Sequence, residues 1–223
     1  MTGPEVVGLL VLGTLVGLDL VSGPQIMLSR PLVSGAAAGA LLGDVRAGLT
    51  VGTLLELFQL DVLPVGAVRY GDYGIGAVAG TAAAAHAPGL IGTGVAVCLG
   101  LAIALAGEWS LQILRRVNTA RMMRLRSALD AGEWAAIRRA HLGSWARDAV
   151  RSGLLTALGL VLVVGIRQWT PVNLPGALML SGVAAGIGLA AAANGSWRLV
   201  GSATQTRLFA LGAALGLLWV TVR

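Results

Sequence analysis

Long apolar runs decide what this chain can fold into. Residues 6–18, 90–106, 154–166, 174–193 and 208–222 are almost continuously hydrophobic, and several approach the roughly 20 residues an α-helix needs to cross a bilayer. Apolar residues make up 56% of the chain and charged residues 12%, too little polar surface for a soluble domain of this length. Backbone inside a bilayer must satisfy its own hydrogen bonds, so the runs are expected to be helices. The expectation is an all-α integral membrane protein, one membrane-embedded domain over residues 1–223. Pro4 and Glu5 stand where the basic region of an export signal belongs, so the first run is expected to remain in the mature protein.

Charge is unevenly placed. Residues 115–151 hold nine Arg against Asp130, Glu133 and Asp148, which is the whole net charge of +6. The rest of the chain balances. Short Arg-rich loops between spans stay in the cytoplasm, so this segment is read as a cytoplasmic loop between an N-terminal half, residues 1–114, and a C-terminal half, residues 152–223. Residues 120–129 and 133–150 have helical composition around a turn at Asp130, Ala131 and Gly132, and a short amphipathic hairpin at the membrane surface is expected. Trp134 and Trp145 suit headgroup depth. A nucleic-acid binder would spread basic residues and aromatic platforms over a soluble domain, and no nucleic-acid partner is expected.

The N-terminal half is interrupted by Pro24, Pro31, Asp44, Pro64 and the polar stretch 69–72. Pieces this short belong to broken or re-entrant helices, whose freed backbone groups line a cavity. Glycines recur at i, i+4 in Gly13/Gly17, Gly35/Gly39/Gly43, Gly48/Gly52, Gly182/Gly186 and Gly212/Gly216, a spacing that lets helices pack closely. The run SGVAAG from Ser181 echoes SGAAAG from Ser34, as an internal repeat would.

Candidate ligand contacts follow from polarity at depth. Gly48, Gly52 and Glu56 share one helical face with Gln59 beside it, and a carboxylate at the bilayer centre costs about 2.5–3.5 kcal/mol unless it meets a cavity or a partner. Glu56 is therefore either a ligand group or half of an ion pair with Arg30, Arg46 or Arg69. Asp72 lies in a turn-rich stretch between apolar segments. Carboxylates and amides recognise vicinal hydroxyls by paired hydrogen bonds, so Glu56, Asp72, Gln25 and Gln59 are the candidate substrate-binding residues. Asp44 is read as a turn or helix-cap residue. No catalytic residues, metal ligands or cofactor are expected: hydrolase, nucleotide and zinc signatures are missing, and His86, His141 and Cys98 lack partners at ligand spacing.

These residues also carry a resemblance. QIMLSRPL from Gln25, LGDVRAG from Leu42, GTLLEL from Gly52 and PVG from Pro64 resemble the membrane C component (IIC) of the mannose-fructose-sorbose family of the sugar phosphotransferase system. DAGEWAAIRRAHL from Asp130 is similar to the family's stretch between its halves. The resemblance implies a sugar-conducting subunit of the bacterial cytoplasmic membrane, paired with a IID-type subunit, assembled as a trimer of such pairs, and served by soluble IIA and IIB phosphocarriers. It maps substrate contacts onto Glu56 and Asp72, with Gln25. The sequence departs from the family at Tyr70-Gly71-Asp72, where Pro-Pro-Asp is usual, and at Asp61. Two other functions compete: a transporter or channel independent of phosphorylation, and a noncatalytic membrane scaffold.

Overall fold

The computed structural model describes residues 1–60, 68–86, 89–169 and 174–197, with positions 204, 207, 210 and 211 beyond them. The PVG motif at Pro64, the Gly212/Gly216 pair and Asp61 lie outside the described residues, as does most of the run 208–222. Among the described residues the regular structure is helical: α1 (Gly3–Val21), α2 (Pro31–Leu41), α3 (Val45–Gln59), α4 (Tyr73–Ala85), α5 (Gly89–Arg124), α6 (Arg126–Asp130), α7 (Trp134–Trp169) and α8 (Leu174–Trp197). Segments Gly3–Val21, Gly92–Arg124 and Trp134–Ile166 are long and apolar enough to cross a membrane, and Pro31–Leu41, Tyr73–Ala85 and Leu178–Ala193 are shorter apolar helices. The chain is an all-α integral membrane protein with broken segments in its N-terminal half.

Local chemistry sets the breaks. Pro31 opens α2 at its first turn, where a missing N–H costs nothing. Gly43 follows α2 at φ +73°, and the Asp44 carboxylate caps α3 by accepting from the Ala47 N–H at 2.9 Å. This tight turn folds α2 and α3 into a helical hairpin sealed by glycine. A Cβ on Gly48 would lie 3.1 Å from the Gly39 Cα, and one on Gly52 would lie 2.5 Å from the Pro31 carbonyl oxygen. The two backbones touch. Among the described residues, Gly182 and Gly186 have nothing within 4 Å of such a Cβ, so the echo of SGAAAG in α8 does not reproduce there the packing of the first copy.

Helix α4 is the centre of the bundle. Every residue from Gly74 to Ala84 is buried, which its Gly/Ala composition permits because neighbouring backbones can approach on all sides. A Cβ on Gly80 would sit 2.8 Å from the Ala96 carbonyl oxygen of α5, and one on Gly74 would sit 2.5 Å from that of Ser29. Leu55, Ile75, Val78, Val97 and Ile103 form the fully buried apolar core around it.

The basic segment departs from expectation in form. Its two helices are the outer ends of α5 and α7, each of 36 residues, joined by α6 and a turn with Gly132 at φ +72°. Helical continuity wins because no proline falls within residues 89–169, and α7 runs through Gly143 and Gly153 without a break. At a rise of about 1.5 Å per residue each helix is roughly 54 Å long, against a hydrocarbon core of about 30 Å. The hairpin is a projecting tip.

Candidate functional site: a polar cavity behind the first helix

After α1 the chain runs through an irregular loop to Pro31. Two non-glycine residues in it, Gln25 (φ +55°) and Met27 (φ +67°), adopt the left-handed conformation, which costs free energy and persists only when the surroundings hold it. Asp19 does the holding. Buried in the last turn of α1, it accepts from the Ile26 N–H at 2.7 Å with Oδ1 and from the Ser29 N–H at 2.9 Å with Oδ2. A carboxylate inside an apolar helix thus replaces the hydrogen bonds the loop backbone has lost.

The loop walls a cavity of about 210 Å³ lined by Asp19, Leu20, Gln25, Met27, Ser29, Arg30 and Gln59. That is below the roughly 300–1,000 Å³ of drug-sized sites and suits a small polar solute. Gln59, in the last turn of α3, is buried, and its Oε1 has no hydrogen-bond partner among the described residues. A buried acceptor left unpaired costs about 1–3 kcal/mol; the oxygen is shut off from the cavity as placed, so a ligand donor would recover that loss only with a turn of the Gln59 side chain. Arg30 is ion-paired to Glu56 Oε1, and Glu56 Oε2 accepts from the Leu32 N–H at 3.2 Å. Glu56 therefore neutralises Arg30 and satisfies the first turn of α2.

Of the four residues singled out from sequence, Gln25 and Gln59 line this cavity and Glu56 stands behind its Arg30. Asp72 is elsewhere. Fully buried, it caps α4 by accepting from the Ile75 N–H at 3.4 Å, and its other oxygen accepts from Arg151 at 3.1 Å. Arg151 also donates to Asp148 at 2.8 Å, Ser110 at 3.2 Å and Ser152 at 3.1 Å, while Ser22 donates to Asp148 at 2.6 Å. One guanidinium thus ties the end of α1, the start of α4, α5 and α7. Sequence reasoning passed over Asp19, Ser29 and Arg151 as site residues. For Asp19 the signal was present, since a carboxylate two residues before the end of an apolar helix demands a partner. For Arg151 it was hidden among the nine arginines of the basic segment. His86 closes α4, its Nδ1 at 2.9 Å from the Ala82 carbonyl.

Fold and cavity together define a polytopic helical membrane protein whose interrupted N-terminal half carries a small open cavity lined by five polar or charged residues. The family model described as the sorbose-specific IIC component of the phosphotransferase system matches residues 5–193, and the chain belongs to that family. It is 28% identical over 144 residues to the mannose-specific EIIC component of Escherichia coli K12, covering 65% of this chain and 53% of the relative. It is 27% identical over 175 residues to the fructose permease IIC component of Bacillus subtilis 168, covering 78% of this chain and 64% of the relative. The chain thus spans between about half and two thirds of the length of these relatives. The fold is shared with a solved membrane protein at a TM-score of 0.71 and 20% identity, covering 99% of this chain and 96% of the other. It is shared also with a chain of the cryo-EM complex of the mannose transporter ManYZ with microcin E492, at a TM-score of 0.64 and 19% identity, covering 97% and 87%.

Proposed function

We propose that the chain is the sugar-translocating C subunit of a mannose-type phosphotransferase permease in a bacterial cytoplasmic membrane, and that a hexose binds in the cavity behind α1. The observation that supports the site is the cavity lined together by Gln25, Arg30 and Gln59, where a turn of the buried Gln59 side chain would present an Oε1 that has no hydrogen-bond partner among the described residues. Sugar hydroxyls both donate and accept. Gln59 Oε1 accepts from one hydroxyl, the Gln25 amide and Arg30 donate to others, and Leu20 and Met27 supply apolar surface for a ring face. Glu56 acts on the sugar through Arg30 or, on release of that pair, directly. Asp72 meets the pathway in a conformation where its pair with Arg151 has opened. Phosphoryl transfer belongs to soluble IIA and IIB partners, a IID subunit completes the pathway, and three such pairs assemble. Residues 115–151 face the cytoplasm.

Equilibrium binding of mannose and fructose to the purified complex with its partner tests the site. Gln59→Leu and Glu56→Gln are each expected to weaken binding about tenfold, a loss of roughly 1.4 kcal/mol, with assembly retained. Unchanged affinity in both variants refutes the site, and collapse of assembly with Glu56→Gln assigns that residue to holding α2 against α3. Uptake of unphosphorylated sugar in the absence of IIA and IIB would favour a phosphorylation-independent transporter.

A further inference from the structure

A second cavity, of about 300 Å³, lies between the projecting ends of α5 and α7, far from the polar site in sequence and lined by different helices. Its walls are Asn118, Arg121, Met122, Arg124 and Leu125 from α5 and its end, and Arg139, Ala140, Ser144 and Arg147 from α7. Four arginines thus line one space with no carboxylate among its lining residues, Arg139 donating from Nε to the Ala135 carbonyl at 3.1 Å. Two of the basic segment's three acidic groups are engaged otherwise, Asp148 with Arg151 and Asp130 with Arg126, and the third, Glu133, is not among the lining residues. Among the described residues none of the four lining arginines has an ion-pair partner. Clustered like charges repel unless an anion sits between them.

The deep end of the cavity is organised in advance. Asn118 accepts from Arg147 Nε at 2.8 Å and donates to Ser144 Oγ at 2.8 Å. That leaves the two terminal nitrogens of Arg147 as a fork and the Ser144 hydroxyl proton as a further donor. A fork of this kind matches a phosphate.

Height and continuity identify which phosphate. Residues 92–114 of α5 cover roughly 34 Å, slightly more than the hydrocarbon core of about 30 Å, so with Gly92, where the apolar span begins, set at one face of the core, Asn118 and Arg147 fall at headgroup level and the other arginines just outside it. Trp109, Ile113 and Val117 are exposed on successive turns of α5 leading up to Arg121 and Arg124. On α7, Arg139 shares a face with Val150 and Leu154, both exposed. Each basic wall is therefore the outward continuation of an apolar face that, at membrane depth, meets acyl chains. Met122, Leu125 and Ala140 add apolar surface beside the charges.

We propose that this cavity binds the phosphate headgroup of an anionic phospholipid, with the acyl chains running down the exposed faces of α5 and α7. The site is separate from sugar binding and does not depend on it. Native mass spectrometry of the full chain in its complex, titrated with phosphatidylglycerol and with phosphatidylcholine of the same acyl chains, reads the interaction directly. Arg121→Gln/Arg139→Gln removes two lining charges, and Arg116→Gln/Arg138→Gln removes the same charge from the same segment off the cavity. The lining pair is expected to lose at least tenfold in apparent affinity for phosphatidylglycerol, the control pair less than threefold, with phosphatidylcholine weak throughout. Equal losses in the two pairs would overturn the proposal in favour of diffuse attraction. Full competition by low millimolar inorganic phosphate would overturn the lipid assignment and leave a free-phosphate site. Arg121 and Arg139 are exposed, so folding should survive; if the double variant aggregates, Arg139→Gln alone must show a loss of threefold or more, or the proposal fails.

Discussion

Arg151 offers the sharpest test of how the bundle is held. It is 8% exposed and Asp72 and Asp148 are both 0% exposed, so three ionisable groups share one buried site and one guanidinium bonds two carboxyl groups. Arg151→Gln leaves two buried carboxylates near each other with no cation between them. Removing one partner of a buried pair costs about 3–5 kcal/mol, and here the loss strikes two pairs at once. Asp72→Asn is milder. The amide oxygen still caps α4 at Ile75, and Arg151 keeps Asp148, so only one charge-assisted bond of about 1.5–3 kcal/mol is lost. The double variant should cost less than the sum of the two, by roughly 0.5–3 kcal/mol, because the partners touch.

Detergent-induced unfolding of the purified complex, followed by tryptophan fluorescence, supplies the ranking. The expected order of destabilisation is Arg151→Gln, then Asp72→Asn, with the double variant below additivity. Strict additivity, or a loss with Asp72→Asn equal to that with Arg151→Gln, would refute the shared-cation picture. Sugar binding by Asp72→Asn is measured in the same preparation. A tenfold loss of affinity with unchanged stability would make Asp72 a ligand group, as the family resemblance implies, rather than a tie between helices.

Two further outcomes follow from packing and topology. Gly48→Ala, whose new methyl meets backbone of α2 on all sides, should destabilise the complex by about 1–3 kcal/mol, whereas Gly182→Ala, with open space around it, should stay within about 0.5 kcal/mol of the parent; equal effects in thermal unfolding would refute the assigned interface. A cysteine placed at Arg126, in a background with Cys98 replaced, should resist an impermeant thiol reagent in intact cells and react in inverted vesicles; labelling from outside would reverse the proposed orientation.

The sequence carried the helical membrane fold, the break points at Pro31 and Asp44, and the glycine faces of α2 and α3 as packing surfaces, because each depends on local chemistry or on a spacing within one helix; which face meets which came only with the fold. It carried Gln25 and Gln59 as polar groups near a break. It did not carry their meeting across the loop, which depends on Asp19 reaching seven and ten residues forward. Nor did it separate Asp72 from the cavity. The 79 residues between Asp72 and Arg151 close only through the packing of α4 against α7, and one arginine among many bears no mark of burial. The basic segment was read as a surface hairpin because its composition is amphipathic, while continuity with the apolar halves of α5 and α7 is a property of the whole helices.

The last turn of α1 links the two polar sites, and this link is testable. Asp19 holds the cavity loop, and three residues later Ser22 donates to Asp148 of the ion network. Further back, α1 is packed on α7 through Gly13 and Gly17, whose added Cβ atoms would meet Thr156 and Ser152, so the end of α1 has little freedom to shift independently. Ser22 does not line the cavity. Ser22→Ala removes one hydrogen bond to a buried carboxylate, a loss of about 1.5–3 kcal/mol for a charged acceptor. If α1 transmits the change, the loop loses part of its anchorage and sugar affinity falls about two- to fivefold, within the roughly 0.5–2 kcal/mol by which a residue touching neither ligand shifts a coupled site. Binding and unfolding are measured together on the same complex. A drop in stability with unchanged sugar affinity would show that the network braces the bundle without speaking to the cavity, and the coupling through α1 would be refuted.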